Sequence, residues 1–433
     1  MGRISQALAL TSCLVGGMGI GQGAQLQTGA PPVDPAIEQL TLSQAEKYFI
    51  ERNRELQRAR RAVEGAEADT LSAQARPNPT LSVNTSQISP SQGVGSGSLW
   101  NKRADTVIGL SQLFERGNKR ELRTEVAQAN AEATRGERDD VERQQRLTVH
   151  SAYYDLKLAQ EKLIITAETA TSYQKTLDAA QLRFNAGDIA ATELARISVD
   201  GLRAQNDARM ARTELARAQL TLAYLIGAER DATRVRAADP WPDIVLPGEL
   251  ADTERTVDAR ADVRAAQSRL SAAERGRDLA RALRTRDITA GVQYERFPGD
   301  SANNSYGFFV SVPLFLNYNY EGEIRKAESE LAAARDSVDR TRALALAEIT
   351  RARSDLESAA ERVRRSRDAV LAAADKAASG AEFAYSRGAI GVMDLLDARR
   401  QFYSARLESA GALADYTKAF AAWQAAITER PER

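Results

Sequence analysis

The sequence predicts a mostly helical fold with a small β part, in which one helix–β-hairpin–long helix–return helix unit occurs twice. Two pairs of matching segments support this prediction. The helical segment that opens at Asn53 is matched by one that opens at Arg260, about 207 residues later, and a strand-like stretch follows each. The glycine turn at 184–189 is matched by one at 385–390, about 201 residues later. One structural unit has therefore been duplicated.

Composition narrows the class of protein. Among the 433 residues, 59 Lys and Arg balance 59 Asp and Glu, so no basic excess indicates nucleic acid binding. Charged residues make up 27% and aromatic residues only 6%, which is typical of long, solvent-facing helices with thin seams of small residues. Most of the 12 prolines cluster at 31–35, 77–79, 240–247 and 298–313. Since proline cannot continue a helix, these clusters mark the joints, which are the connections between successive helices and strands.

The first 24 residues resemble an export signal. Arg3 supplies the positive start, and the apolar run at 7–20 is too short to cross a bilayer as a helix. Cys13, the only cysteine, also ends a lipobox-like tetrapeptide, so lipidation at Cys13 is the alternative, although the apolar run continues past it. If the signal is cut at residue 24, the mature chain has no thiol for a disulfide or a metal. No later segment is a candidate for a transmembrane helix.

The joints divide the chain into segments. Thr41 is a suitable N-cap for the first helix, which is predicted to end before Arg76. The predicted order is a signal peptide at 1–24, an N-terminal strap at 25–40, a first repeat at 41–227, a linker across the bundle at 228–253, a second repeat at 254–427 and a tail at 428–433.

Each repeat carries one β-hairpin followed by a long helical hairpin. The strands are predicted at about 79–88 and 105–114, and at about 287–297 and 305–315, where apolar and polar residues alternate. The first long helix, from Lys119 to about Phe184, would have a length on the order of 100 Å, and its counterpart runs from about 321 to 385. Each turns back at a glycine, which tolerates a left-handed backbone.

Four strands of 8–11 residues are long enough to cross a bilayer as tilted β-structure, but four strands cannot close a barrel. Either the hairpins pack against soluble protein, or several chains contribute four strands each to one barrel. The export signal and the polar loops favour the shared barrel. Its interfacial aromatic girdle would then include Tyr294, Phe297, Tyr306 and Phe308; in an ordinary sheet these rings would fill the core.

Three motifs carry a resemblance to a known family, and it covers essentially the whole mature chain. The most specific is Tyr385-Ser-Arg-Gly-Ala-Ile-Gly-Val-Met-Asp-Leu-Leu-Asp-Ala398, which is similar to the periplasmic tip of the outer membrane factors, the TolC-like family of tripartite efflux systems. Asn78-Pro-Thr-Leu81 resembles the family's entry into its first strand. Leu113-Phe-Glu-Arg-Gly-Asn-Lys-Arg120 is similar to a segment of the CzcC-like heavy-metal efflux branch.

The resemblance implies a homotrimer in the outer membrane of a Gram-negative bacterium. Three chains would form a 12-stranded outer membrane β-barrel, continued by a periplasmic α-helical barrel whose tips meet a periplasmic adaptor and an inner membrane RND pump. Substrate would pass through the lumen without enzymatic chemistry and without a cofactor. The cargo implied by the CzcC-like segment is divalent heavy-metal cations; a multidrug or type I secretion duct of the same fold is the alternative.

The resemblance also assigns roles to residues at the tips. Asp394 and Asp397 fall on the family's two pore-constricting aspartates and would form rings of three carboxylates each that favour cations. The alternative role of these carboxylates is to stabilise the start of the return helix through its dipole. The acidic residue that reaches the lumen in the first repeat is left open. The candidate adaptor contacts, which could equally be plain hairpin turns, are Arg183, Phe184, Gly187, Ile189, Tyr385, Arg387, Gly388 and Ile390, with both isoleucines expected to be exposed.

Enzymatic functions find little support in the sequence. The single histidine, His150, lies in the middle of a long helix, where a surface or seam position is expected instead of a metal-binding role. No catalytic triad, phosphate-binding loop or metal-binding cluster is visible. The competing hypothesis from another class is a periplasmic coiled-coil adaptor or scaffold, which would not need two bilayer-length hairpins.

Overall fold

The computed structural model describes residues 37–86, 88, 104–248, 252–297 and 303–428. The predicted signal peptide, Cys13 and most of the N-terminal strap lie outside the described residues, as do most of the two hairpin loops.

The chain order of the elements repeats once. The first repeat contains α1 (Leu42–Arg52), α2 (Arg54–Gln74), β1 (Thr80–Ser86), β2 (Asp105–Phe114), α3 (Lys119–Asn185) and α4 (Ala191–Leu225). The second contains α5 (Thr253–Ala259), α6 (Ala261–Ala282), β3 (Ile288–Phe297), β4 (Asn303–Ser311), α7 (Glu321–Arg364), α8 (Ala372–Ser386) and α9 (Val392–Ile427). A short 3₁₀ helix at Glu229–Arg234 follows α4.

The first helix begins where its cap predicts but is broken once. The hydroxyl of Thr41 accepts a hydrogen bond from the Gln44 N–H at 3.2 Å, and the Gln44 side chain accepts one from the Thr41 N–H at 3.0 Å. The first helix ends at Arg52 and not before Arg76, and a second helix begins after Asn53, where the sequence predicts that the repeated helical segment opens. Asn53 takes an extended backbone there and caps α2 by accepting a hydrogen bond from the Leu56 N–H at 3.0 Å.

The four strands form one antiparallel sheet in the order β1-β2-β3-β4. The two hairpins are joined through β2 and β3, with Ile108 opposite Tyr294. The last strand is shorter than the prediction to residue 315, since it ends at Ser311. Pro313 follows two residues later and has no N–H with which to continue a strand ladder.

The long helices of the two repeats differ in their regularity. In the first repeat, α3 runs for 67 residues without a break. The single counterpart helix predicted for the second repeat is interrupted, because residues Arg365–Leu371 between α7 and α8 are π-helical. Both long helices then reverse through short turns into α4 and α9.

Residues 235–248 lie against both repeats. Ala237 forms a parallel bridge with Leu40, and the buried Tyr153 hydroxyl donates to the Leu40 carbonyl at 3.0 Å. In the second repeat, the hydroxyl of the buried Tyr416 accepts a hydrogen bond from the Val245 N–H at 2.6 Å. Burial of the Tyr153 ring raises the pKa of its hydroxyl, so this group stays protonated at neutral pH and can donate its hydrogen bond.

A buried ionic network joins the repeats in the middle of the helical part. The Arg260 side chain is only 1% exposed and donates to Asp262 at 2.8 Å and to Glu348 at 2.6 Å. Arg143 of α3 reaches Glu348 at 3.2 Å, so a first-repeat cation shares a second-repeat carboxylate. Burial acts to raise the pKa of Asp262 and Glu348, but the hydrogen bonds from Arg260 and the charges of both arginines outweigh it, and both pKa values are lowered.

Candidate functional site

One face of the sheet is apolar and exposed. The alternation of the strands and their register place Leu110 beside Val292 and Phe308, and Tyr294 beside Tyr306. Phe308 is 88% exposed and Tyr306 is 85% exposed. The face comprises Leu81, Val83, Ile108, Leu110, Ala290, Val292, Tyr294, Tyr306, Phe308 and Val310. So large an exposed apolar surface is typical of a membrane or protein contact.

The opposite face of the sheet is mostly polar, although Val107, Leu113, Phe297 and Phe309 also lie on it. Ser82, Gln293 and Glu295 lie on it, and the Ser305 hydroxyl donates to the Glu295 carboxylate at 3.3 Å. Phe297 belongs to this face and not to the apolar one, because it lies two residues from Glu295 along the same strand. Its predicted place in an apolar girdle is therefore wrong.

The two outer edges of the sheet are open within the described residues. β1 pairs only with β2, and β4 pairs only with β3. Unpaired strand edges present rows of N–H and C=O groups that another chain can pair with. Each of the two edge strands can therefore pair with a strand of another chain.

The two helical tips have the same backbone geometry. In the first turn, Gly187 has a φ of 83°, and the Asp188 N–H donates to the Arg183 carbonyl at 2.8 Å. In the second, Gly388 has a φ of 70°, and the Ala389 N–H donates to the Ala384 carbonyl at 2.9 Å. Both are Schellman turns, which end a helix with a left-handed glycine.

The predicted tip residues differ in exposure. Arg183, Phe184 and Arg387 are exposed at the turns. Ile189 and Ile390, which the sequence predicted to be exposed, are half-buried. Ile189 and Tyr385 pack against an apolar cluster of α3, α4 and α9 that includes Tyr173 and Leu396, and this packing covers part of Ile189.

The most exposed large apolar side chains at the tips are Leu182 and Phe383, which are 71% and 64% exposed. Sequence reasoning missed both, although they lie 201 residues apart, the spacing that relates the two glycine turns. The Arg387 guanidinium lies over the Phe383 ring, with its carbon 5.2 Å from the ring centre. The second tip therefore presents a cation stacked on an aromatic ring.

Both predicted pore aspartates lie at the start of α9 with partners in their own helix. The Asp394 carboxylate accepts a hydrogen bond from the Gly391 N–H at 3.3 Å, which caps the helix. Asp397 pairs with Arg400 and accepts a hydrogen bond from the Gln401 amide at 2.9 Å. The capping interaction expected as the alternative role is present for Asp394.

The segment Leu113–Arg120 forms a joint between the repeats. The Lys119 ammonium contacts the Asp287 carboxylate at 2.8 Å and the Thr285 carbonyl at 2.7 Å. The Arg116 N–H also donates to Asp287, at 2.9 Å. Gly117 has a φ of 74°, and a Cβ atom there would lie 2.7 Å from the Thr285 Cβ. The glycine and lysine of the heavy-metal-like motif thus connect α3 to the α6–β3 junction.

Metal-ligating side chains are not clustered in the described part of the chain: no group of three or more His, Cys, Asp or Glu there could hold a metal ion. His150 lies in the seam between α1 and α3, as the sequence predicts, with its ring 2.5 Å from Glu46. That hydrogen bond, together with the charges of His150 and Arg146, outweighs burial and lowers the pKa of Glu46. None of the described helices has a stretch long and apolar enough to cross a membrane.

The fold combines two copies of one helical-hairpin unit with a sheet that exposes an apolar face. The model of the outer membrane efflux protein family matches residues 47–228 and 254–428, once for each repeat. The chain belongs to this family, whose members are passive outer membrane channels and not enzymes. No curated protein matches its sequence.

Solved structures share this fold. VceC of Vibrio cholerae is 18% identical with a TM-score of 0.72, over 89% of this chain and 95% of its own. The CmeC outer membrane channel of Campylobacter jejuni is 15% identical with a TM-score of 0.75, over 89% and 85%. The MtrE outer membrane channel of Neisseria gonorrhoeae, in its open state, is 19% identical with a TM-score of 0.71, over 89% and 88%.

Proposed function

We propose that this protein is the outer membrane exit channel of a tripartite efflux pump in a Gram-negative bacterium. In this proposal a homotrimer receives substrate from a periplasmic adaptor and an inner membrane RND pump and conducts it passively to the exterior. The observation that carries the proposal is the sheet, which is apolar on one face, mostly polar on the other and open at both edges. Three such sheets joined edge to edge give 12 strands with an apolar outside.

The length of β4 supports the membrane role. The strand runs for nine residues, from Asn303 to Ser311, and carries Tyr306, Phe308 and Val310 on the apolar face. Nine strand residues span about 30 Å, and with strands tilted by about 35–45° their height is about 21–25 Å. The hydrocarbon-facing band of an outer membrane barrel has that height.

We propose divalent heavy-metal cations of the cobalt, zinc and cadmium type as the cargo. The proposal rests on the resemblance of Leu113–Arg120 to the metal efflux branch and on the two aspartates at the second tip. In that segment, Gly117 and Lys119 contact the α6–β3 junction and have a structural role. The segment is therefore weaker evidence for a metal cargo than the aspartates.

A strain that lacks this protein tests the exit function and the cargo together. We expect sensitivity to zinc, cobalt and cadmium but not to dyes, bile salts and antibiotics, with resistance restored by the plasmid-borne gene. Sensitivity to the organic compounds would instead indicate that this protein is the exit duct of a multidrug efflux pump. Wild-type tolerance of every compound, in a strain in which related exit channels are also deleted, would contradict the efflux role.

We further propose that Asp394 and Asp397 act as pore-lining carboxylates in the trimer and that the exposed tip side chains contact the adaptor. The Asp394→Asn, Asp397→Asn double variant should reduce the preference of the channel for cations over anions in planar bilayers by several-fold, because two rings of three charges are removed. The measurement is the reversal potential under a salt gradient. Asp355→Asn, a change at an exposed carboxylate of α7 away from both turns, is the matched control; an unchanged reversal potential in the double variant would exclude the two carboxylates as selectivity groups.

A further inference from the structure

The apolar face of the sheet gives way to arginines at the end where the helices join it. The last cross-strand pair on this face is Phe114 of β2 with Ile288 of β3. Arg116 and Arg286 lie two residues beyond this pair, at positions that an extended backbone places on the same face. Both arginines are exposed. The surface thus changes from apolar to positively charged over about 7 Å.

Positive charge is in excess in the four segments that connect the sheet to the helices. These segments are 75–79, 115–118, 283–287 and 312–320. They contain two carboxylates, and both are neutralised by α3: Arg123 pairs with Glu115 at 2.7 Å, and Lys119 pairs with Asp287 at 2.8 Å. They also contain four exposed arginines that form no salt bridge within the described part of the chain, which are Arg76, Arg116, Arg284 and Arg286. The neutralised carboxylates leave these four charges uncompensated.

The acidic residues at the start of α7 have partners of their own. The Glu323 carboxylate accepts a hydrogen bond from the Tyr318 hydroxyl at 2.5 Å, and Glu321 accepts one from the Asn319 N–H at 3.2 Å. The Arg284 side chain donates to the Asn319 carbonyl at 3.3 Å. Because a guanidinium group has five N–H donors, most of the donors of Arg284 are available to a ligand.

Aromatic and aliphatic side chains border these arginines. The Arg286 guanidinium lies over the Phe315 ring, with its carbon 5.6 Å from the ring centre. Phe315 in turn packs edge-on against Tyr320, with 5.2 Å between the ring centres. Leu314 and Leu316 of the same segment are 68% and 82% exposed. Exposed apolar side chains beside aromatic rings and cations are typical of the boundary between hydrocarbon and lipid headgroups.

We propose that Arg116, Arg284 and Arg286 bind the phosphate groups of anionic phospholipids in the periplasmic leaflet of the outer membrane. A guanidinium group matches a phosphate with two parallel hydrogen bonds. The acyl chains of the bound lipid lie on the apolar face, which begins at Phe114 and Ile288. Each arginine near an anionic membrane surface strengthens binding by roughly fivefold. The inference rests on the proposed function for the presence of a membrane and adds the class of lipid that the channel recognises.

Native mass spectrometry of the full-length protein in detergent tests the lipid site. The probes are phosphatidylglycerol, which is anionic, and phosphatidylethanolamine with the same acyl chains, which has no net charge. We expect the wild-type protein to bind phosphatidylglycerol at least about tenfold more tightly, and the Arg116→Gln, Arg286→Gln variant to lose this preference. The Arg209→Gln, Arg212→Gln variant removes the same charge from exposed positions of α4 and should keep the preference. A sheet-end variant that binds phosphatidylglycerol as the wild-type protein does would overturn the inference.

Two further measurements on the wild-type protein do not depend on the folding of any variant. High salt should abolish the preference for phosphatidylglycerol, because screening weakens the interaction with its net charge. Inorganic phosphate at millimolar concentration should leave the lipid bound; displacement of the lipid would indicate a simple anion site and overturn the lipid assignment. Binding of neither lipid would contradict the membrane placement together with this inference, whereas equal affinity for both lipids would contradict this inference alone.

Discussion

Replacement of Arg260 by methionine is expected to lower the free energy of unfolding by about 3 kcal/mol. Arg260 is buried and donates to Asp262, to Glu348 and to the Ala426 carbonyl at 3.2 Å. Methionine keeps the apolar volume but leaves the carboxylates without their shared cation. Because Asp262 and Glu348 are partly exposed, the loss should lie at the low end of the range for broken buried pairs.

Urea unfolding of the detergent-solubilised protein, followed by tryptophan fluorescence, measures this change. Arg342→Met is the matched control, since Arg342 pairs with Asp258 at 2.7 Å but both side chains are about half-exposed. That exposed pair should contribute less than about 1 kcal/mol. Equal destabilisation by the two variants would show that the Arg260 network adds nothing beyond a surface ion pair.

If the proposed function is correct, replacement of Phe308 by arginine is expected to abolish assembly of the proposed homotrimer in the outer membrane. Phe308 lies between Tyr306 and Val310 on the apolar face of β4, and an arginine at the bilayer midplane costs about 2–4 kcal/mol. A trimer carries the change three times, so the total cost is about 6–12 kcal/mol, comparable to the whole stability of a typical folded protein. The readout is the amount of detergent-extractable trimer that survives a carbonate wash of the membranes.

Ser311→Arg supplies the control for this experiment. Ser311 belongs to the same strand but alternates onto the polar face, opposite Thr289. An arginine there should leave the trimer in the membrane. If the wild-type protein itself washed off with carbonate and both variants behaved alike, the periplasmic scaffold would be the correct class.

Much of the fold follows from local patterns that sequence reasoning can detect. The α3 helix from Lys119 to Asn185 and the left-handed turns at Gly187 and Gly388 depend on helix propensity and on glycine, both of which act over a few residues. The alternation along β3 likewise identifies which side chains share a face.

The features that were missed depend on contacts between distant segments. The end of the first helix at Arg52 is stabilised by the Asn53 amide, which donates to the Leu225 carbonyl at 3.0 Å, 172 residues away. The half-burial of Ile189 depends on packing against α9 residues of the other repeat, such as Leu396. No local pattern marks the π-helical turn, whose sequence is that of an ordinary charged helix.

The open edges of the sheet determine the kind of ring that copies of this chain can form. Because β2 and β3 already pair within the chain, only β1 of one copy and β4 of the next remain to meet. That contact is heterologous, or head to tail. A ring therefore closes only if the rotation that relates neighbouring copies divides a full turn evenly. The proposed assembly therefore has six structurally similar units but only threefold chemical symmetry. Substitutions in the first repeat and in the second can consequently be selected independently, each altering three positions of the ring.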